Sequence, residues 1–154
     1  FIYIYKFMKW AEPTWLFFHS FAQKVKEDFY RRYHAECGKM FSGICNELPC
    51  PVCRDHATVY FAKNFKNINS KEKLIEFFFN FHNYVNLRIR KEKADRSILE
   101  KYKLTVFPKI IKYFLDNFKA NSIVSRDFSN QLSRRNLIKN VRNWFKKNYR
   151  GFQY

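Results

Sequence analysis

Glycine occurs three times and proline four times in 154 residues, too few to close the hairpins of an all-β chain. Every long stretch instead carries apolar residues at intervals of three and four, so the fold class is all-α. No run approaches the ~20 apolar residues of a transmembrane helix. Phe1 to Met8 is short and broken by Lys6, which leaves the expectation of a soluble protein with no membrane partner. The first residue is not Met, as in a processed or trimmed product, and an upstream signal stays open. Acidic residues are scarce, 13 against 30 Lys plus Arg, for a net charge of +17. So large a surplus raises nucleic acid or an acidic partner. The cations run along the whole chain as solvated faces, however, and an AT-rich coding sequence would give the same balance. Specific nucleic-acid binding is therefore the less favoured reading.

What the chain holds in quantity is rings: 19 Phe, 10 Tyr and 3 Trp, 21% of its residues. That content argues against disorder and predicts a single domain whose core is largely aromatic. Residues 13 to 28 place Trp15, Phe18, His19, Ala22 and Val25 on one helical face, with Pro13 in a first turn. From about Tyr30, apolar positions through Leu48 predict a second helix that Pro49 stops. Pro51 starts a third through Val52, His56, Val59 and Tyr60. Ser70 opens a fourth, whose stripe from Leu74 to Ile89 carries it to about Arg90. Asp95, with Ser97 three residues before Glu100, caps a short fifth helix to Lys103. Two more amphipathic stretches, Val106 to Phe118 and Leu137 to Tyr149, are joined by a polar run from Asn121 to Ser133.

Cysteine is also sparse: Cys37, Cys45, Cys50 and Cys53, and none beyond. Cys37 and Cys45 fall on the second helix's apolar stripe, about 12 Å apart by helical rise, too far to bridge. They read as small buried hydrophobes. Cys50 and Cys53 form a Cys-x-x-Cys pair at a helix junction beside Arg54 and His56, cationic neighbours that favour the thiolate needed for exchange. Zinc held by Cys50, Cys53, His56 and His34 stays open, although tetrahedral sites usually use two close pairs. A thioredoxin-type site would need a βαβ context that the sequence lacks.

On the fourth helix, His82, Asn83, Asn86 and Arg90 form a strip beside the apolar stripe. Asn is a poor helix former, so two in adjacent turns suggest a ligand to bond; a boundary strip in an Asn-rich chain is the plainer alternative. Trp15 and His19 share a face on the first helix and could make a second wall. With Trp10 and Trp15-x-x-x-His19-x-x-Ala22, with Leu48-Pro49-Cys50-Pro51-Val52-Cys53, Arg54 and His56-Ala57, and with His82-Asn83-x-Val85-Asn86-x-Arg88 and Lys91, the chain resembles the Erv/ALR family of FAD-linked sulfhydryl oxidases. It is most similar to the compact members of large DNA viruses. The likeness covers about residues 10 to 105.

The resemblance implies a four-helix bundle with a fifth, crossing helix, holding FAD in its mouth; the amphipathic stretches beyond it read as a helical extension over 106–154 packed on the same domain or on a partner subunit. Carried over residue by residue, it implies FAD contacts from Trp10, Trp15, His19, Cys53, His82, Asn83, Val85, Asn86 and Lys91. Arg88 or Arg90 would assist Lys91 near the phosphates, and Tyr102 would supply an aromatic contact. Cys50 and Cys53 become the catalytic pair, Cys53 beside the flavin and Cys50 open to substrate; no metal is implied. The implied partners are thiol-containing protein substrates or a thioredoxin-like relay protein, dioxygen, and a second copy in a homodimer formed through the first two helices. The compartment would be host cytoplasm or virion for a viral form, otherwise the mitochondrial intermembrane space or the secretory pathway. Departures are the missing shuttle and cross-linking cysteines after Cys53, Ala11 where the family usually has Gly, and residues 106–154, on which the likeness is silent. A basic helical binding module with structural cysteines is the rival from another class.

Overall fold

The computed structural model describes residues 8–120 and 128–154. Among the described residues seven α-helices run in order: α1 Ala11–Lys24, α2 Glu27–Asn46, α3 Pro51–Asn64, α4 Lys71–Arg88, α5 Leu99–Lys103, α6 Phe107–Ala120 and α7 Phe128–Asn148. Short 3-10 turns, Arg96–Ile98 and Tyr149–Gly151, precede α5 and follow α7. Among the described residues the β structure amounts to an isolated antiparallel bridge between Val25 and Phe152.

α1 is the central element. Phe17, Phe18, Phe21 and Ala22 are buried on successive faces, and even Ser20, Gln23 and Lys24 lose nearly all contact with solvent. Phe18 stacks on Phe78 of α4 at 4.7 Å, while Phe17 stacks on Phe114 of α6 at 4.4 Å from the opposite side. Phe41 of α2 meets Phe18, Phe21 and Phe78 edge-on. Such offset and edge-to-face pairs satisfy the ring quadrupoles and add about 0.5–1.5 kcal/mol each to simple area burial. The C-terminal helix joins the same cluster: Ile138, Val141 and Phe145 of α7 are buried, and Phe145 packs on Phe17, Phe21 and Phe107.

Three boundaries differ from the sequence expectation. The first helix ends at Lys24 rather than residue 28, because Val25 turns extended and the chain end zips onto it. Lys26 N–H donates to the Gly151 carbonyl at 2.8 Å and Gln153 N–H to the Lys24 carbonyl at 2.7 Å. A partner from the far end of the sequence overrides local periodicity here. The fourth helix stops at Arg88 with Arg90 in the left-handed region, φ 58°. Lys91 N–H bonds the Asn86 carbonyl and Arg90 N–H the Leu87 carbonyl, a Schellman turn in which Arg90 stands where Gly is usual. The last helix reaches back to Phe128, so the second half of the supposed polar connection is helical; its first half lies outside the described residues. Expected caps are present: Ser70 and Asp95 side chains accept from the N–H groups of Lys73 and Ser97.

The scarce glycines serve close approach rather than turns, since none has positive φ. A Cβ on Gly38 would lie 2.8 Å from the Phe65 ring, and one on Gly151 would lie 2.5 Å from two ring atoms of Phe29. Gly151→Ala should therefore cost about 1–3 kcal/mol through overpacking, with the carbonyl that holds Lys26 displaced. The urea midpoint is the measurement; an unchanged midpoint would show that Phe29 yields freely.

Candidate functional site

The bend between α2 and α3 builds the site. Glu47 caps α2, its N–H bonding the Ile44 carbonyl at 3.1 Å, and Leu48 and Pro49 are buried behind it. Cys50 then becomes the N-cap of α3: its backbone is extended, Pro51 occupies the first helical position, and its Sγ accepts the Cys53 N–H at 3.2 Å. Cys50 and Cys53 are joined in a disulfide, their Cα atoms 5.2 Å apart. A sulfur seated at a helix N-terminus faces unpaired N–H groups and the positive end of the dipole, so its thiolate is favoured once the bond opens. Cys37 and Cys45 differ in kind. Both are free and buried, and burial pushes each thiol up to about 12, which keeps them protonated and inert.

Cys53 lines an apolar cavity of about 230 Å³, and Cys50 does not. The walls come from Trp10, Trp15 and Phe18 at the start of α1, Cys45 and Leu48 at the end of α2, and Phe81 and Val85 of α4. His56 and Arg88 supply the polar lining; the guanidinium donates to His56 Nε2 at 2.7 Å and to the Tyr84 hydroxyl at 3.2 Å. Since Arg only donates, His56 Nε2 is the acceptor. The volume falls below the ~300–1,000 Å³ of pockets that enclose a drug-sized ligand whole. It suits one flat ring system against a sulfur.

Trp15 also opens a second cluster. His82 stacks on it at 4.0 Å with planes 3° apart, His82 Nδ1 lies 2.9 Å from His19 Nε2, and His19 stacks on Tyr102 at 4.4 Å. Burial, followed by the positive charges nearby, lowers both imidazoles: His19 well below its ordinary value, His82 to about 4, with Lys101 and Lys91 among the causes. Both rings are neutral at pH 7, one donating to the other.

Trp10, Trp15, Cys53 and Val85 thus meet at the cavity, while His19, His82 and Tyr102 meet in the ring cluster that shares Trp15. Asn83 is placed otherwise: its amide bonds the backbone of Ala94, accepting from the N–H at 2.8 Å and donating to the carbonyl at 3.5 Å. It pins the segment after α4 to the helix. Asn86, Arg90 and Lys91 gather at the Schellman turn, where Arg90 and Lys91 are exposed. Phe18, Leu48, Phe81 and Ile89 line the cavity too, yet in sequence they are indistinguishable from core. Lys101, whose ammonium lies 5.0 Å from the Tyr102 ring, was also missed; its position beside Tyr102 was the available signal. Among the described residues no group of three or more His, Cys, Asp and Glu side chains is placed to hold a metal ion, and no helix is long and apolar enough to cross a membrane.

The histidine pair makes stability depend on pH with a definite sign. Both pKa values are depressed on folding, so between the unfolded value of 6.5 and about 4 the unfolded chain takes up protons that the folded chain refuses. The pair's contribution is complete above pH 6.5 and is lost as pH falls, by up to ~1.4 kcal/mol per pH unit for each ring. His82→Phe should flatten the fall in melting temperature between pH 6.5 and 4.5. An identical slope in the variant would show that other groups carry it.

The model of the Erv1 / Alr family matches residues 12–106, more than half of the chain. Protein 096R of invertebrate iridescent virus 3, assigned to the FAD-linked sulfhydryl oxidases, is 38% identical over 60 residues, 37% of this chain and 40% of its own length. The FAD-linked sulfhydryl oxidases of two African swine fever virus isolates, Pig/Kenya/KEN-50/1950 and Tick/Malawi/Lil 20-1/1983, are each 29% identical over 85 residues, 55% of this chain and 71% of theirs. The chain thus spans less than half the length of the iridescent virus relative. No solved structure matches at a significant level. The matched region contains the cysteine pair, the cavity walls from Thr14 through Ile89 and the ring cluster, and with these the chain belongs to the Erv1/Alr family.

Proposed function

We propose that this protein is an FAD-linked sulfhydryl oxidase that forms disulfide bonds in thiol-bearing protein substrates or in a thioredoxin-like relay protein. One juxtaposition carries the reading: the Cys50–Cys53 disulfide presents Cys53 on the wall of a ring-lined cavity and leaves Cys50 outside it. The residues fit FAD. The cavity matches the isoalloxazine end, with Trp10, Trp15, Phe81 and Val85 as apolar walls. Trp15, His19, His82 and Tyr102 would hold the remainder by their ring faces, and Lys91, Lys101 and Arg90 would meet its phosphates. Asn83 acts by fixing the segment that follows α4, and Asn86 by anchoring the turn that carries Lys91. When bound, FAD accepts two electrons from a dithiol and returns them to dioxygen, giving hydrogen peroxide.

The protein's own part is exchange and placement. A substrate thiolate attacks Cys50 Sγ, making a substrate–Cys50 disulfide and releasing Cys53 as thiolate. A second substrate thiolate attacks the substrate sulfur of that mixed bond, closing the substrate disulfide and expelling Cys50 as thiolate. The N–H of Cys53 already points at Cys50 Sγ, so the leaving thiolate meets a donor without rearrangement. The apolar walls keep water from the Cys53 side. Residues 1–105 carry this chemistry and residues 106–154 extend it. The family likeness adds a homodimer as the working unit.

Purified protein should be yellow, with a flavin absorbance band, and should consume oxygen with a dithiol substrate. Cys53→Ala should keep the colour and lose at least about 10³-fold in oxygen uptake, because no dithiol can form. Trp15→Ala should lose the bound flavin itself. A colourless preparation that takes up no FAD, or a Cys53→Ala protein that still consumes oxygen, would remove the proposal. Light scattering at micromolar concentration tests the dimer, and a monomer there would count against it.

A further inference from the structure

Arg134 lies on α7, beyond the stretch that the family model matches, yet it is 3% exposed. Its Nε donates to the carbonyl of Glu47 at 3.0 Å. Glu47 is the C-cap of α2, three residues before Cys50, so the bonded carbonyl is the first group of the bend from which the disulfide hangs. The Glu47 carboxylate feels the same cation through space. Burial raises it, and the charges of Arg134 and Arg54 act against that rise. Its Oε2 is buried with no hydrogen-bond partner among the described residues. One turn along, Leu137 packs on Gly43, its Cδ1 3.3 Å from where a Cβ would stand. The pairs Gly43 with Leu137 and Glu47 with Arg134 run antiparallel, so α7 is seated along the end of α2 and its guanidinium closes on the bend.

We propose that Arg134 is a positioning residue for the Cys50–Cys53 pair: by holding the backbone and the charge of Glu47, it fixes the bend that sets Cys53 against the cavity. The proposal rests on the reading of Cys50 and Cys53 as the redox pair. Its physical content is twofold. A charge-assisted bond to a helix-end carbonyl stiffens the segment that carries the sulfurs. A cation near Glu47 also offsets the opposition of its half-buried carboxylate to the thiolate form of the reduced pair. No cysteine follows Cys53, so a disulfide clamp on the C-terminal region is not available to this chain; Arg134 ties that region to the bend by charge and hydrogen bonding.

The test uses the full chain and needs no flavin. Amide hydrogen exchange is followed for Arg134→Met, Arg134→Lys and the double variant Arg134→Met/Glu47→Gln, and the Cys50/Cys53 dithiol–disulfide equilibrium is titrated against glutathione. Arg134→Met should speed exchange of the Cys53 and Arg54 amides on the order of tenfold while leaving α1 amides unchanged. It should also move the equilibrium several-fold toward the disulfide. Arg134→Lys should restore part of both effects, and the double variant should restore the equilibrium, because the uncompensated carboxylate is gone. Should the methionine variant fail to fold, both measurements are read on Arg134→Lys, which should show smaller changes of the same sign. An equilibrium within twofold of the parent protein, or exchange that rises throughout α1 as well, would overturn the proposal. Flavin content, measured on the same preparations, separates this outcome from failure of the oxidase reading.

Discussion

The N-cap of α3 is the constraint on which the rest of the molecule depends. Pro51 cannot donate, so it is tolerated only in the first turn of a helix, and Pro49 stops α2 from running on. Cys50 is caught between them in extended conformation. From that position its Sγ reaches the N–H of Cys53. The disulfide therefore sits where backbone dipoles prepare for a thiolate, and the sulfur one turn in is aimed at the aromatic walls. Replacing either proline would let the helices fuse or fray, and both properties would be lost together.

A cavity lined by rings persists only if the rings cannot close over it. Trp15 stands edge-on to Phe18 and Phe81, Phe81 stacks on Tyr60 of α3 at 4.7 Å, and Phe18 is pinned by its stack on Phe78. Each of these three wall rings is thus held by a ring on another helix. Flat, two-rotor side chains lose little entropy in such an arrangement and yield little when a ligand enters. The same composition that fills the core builds a wall that does not collapse.

The cysteine pair, its position at a helix bend, the all-α class and the caps at Ser70 and Asp95 were legible because each is a local feature with a short-range cause. The cavity walls were half legible. Trp10, Trp15 and Val85 could be named from their place in motifs, but Phe18 and Phe81 carry no mark that separates a wall from a core ring. Asn83 has a part that its place on a polar strip does not announce: its amide also bonds the backbone of Ala94, eleven positions on. Val25 and Arg134 were invisible for one reason. Each takes its meaning from a segment about a hundred residues away, and periodicity has no access to such pairs.

The charge surplus has a structural use that composition alone does not show. With 30 Lys plus Arg and 13 acidic residues, most cations cannot find a carboxylate. Several of them bind helix-end carbonyls instead. Lys71 Nζ donates to the carbonyl of Gln23 at the end of α1, Lys24 Nζ to that of Lys103 at the end of α5, Lys26 Nζ to that of Arg150 in the last 3-10 turn, and Arg134 to that of Glu47 at the end of α2. These are the orphan acceptors that every helix leaves, at the negative end of its dipole. Each bond satisfies a carbonyl that lacks an intrahelical partner and sets the cation against the negative end of a dipole. All four also join elements distant in sequence, so the cations act as fasteners between them. A small all-α fold with few glycine C-caps supplies many such helix ends.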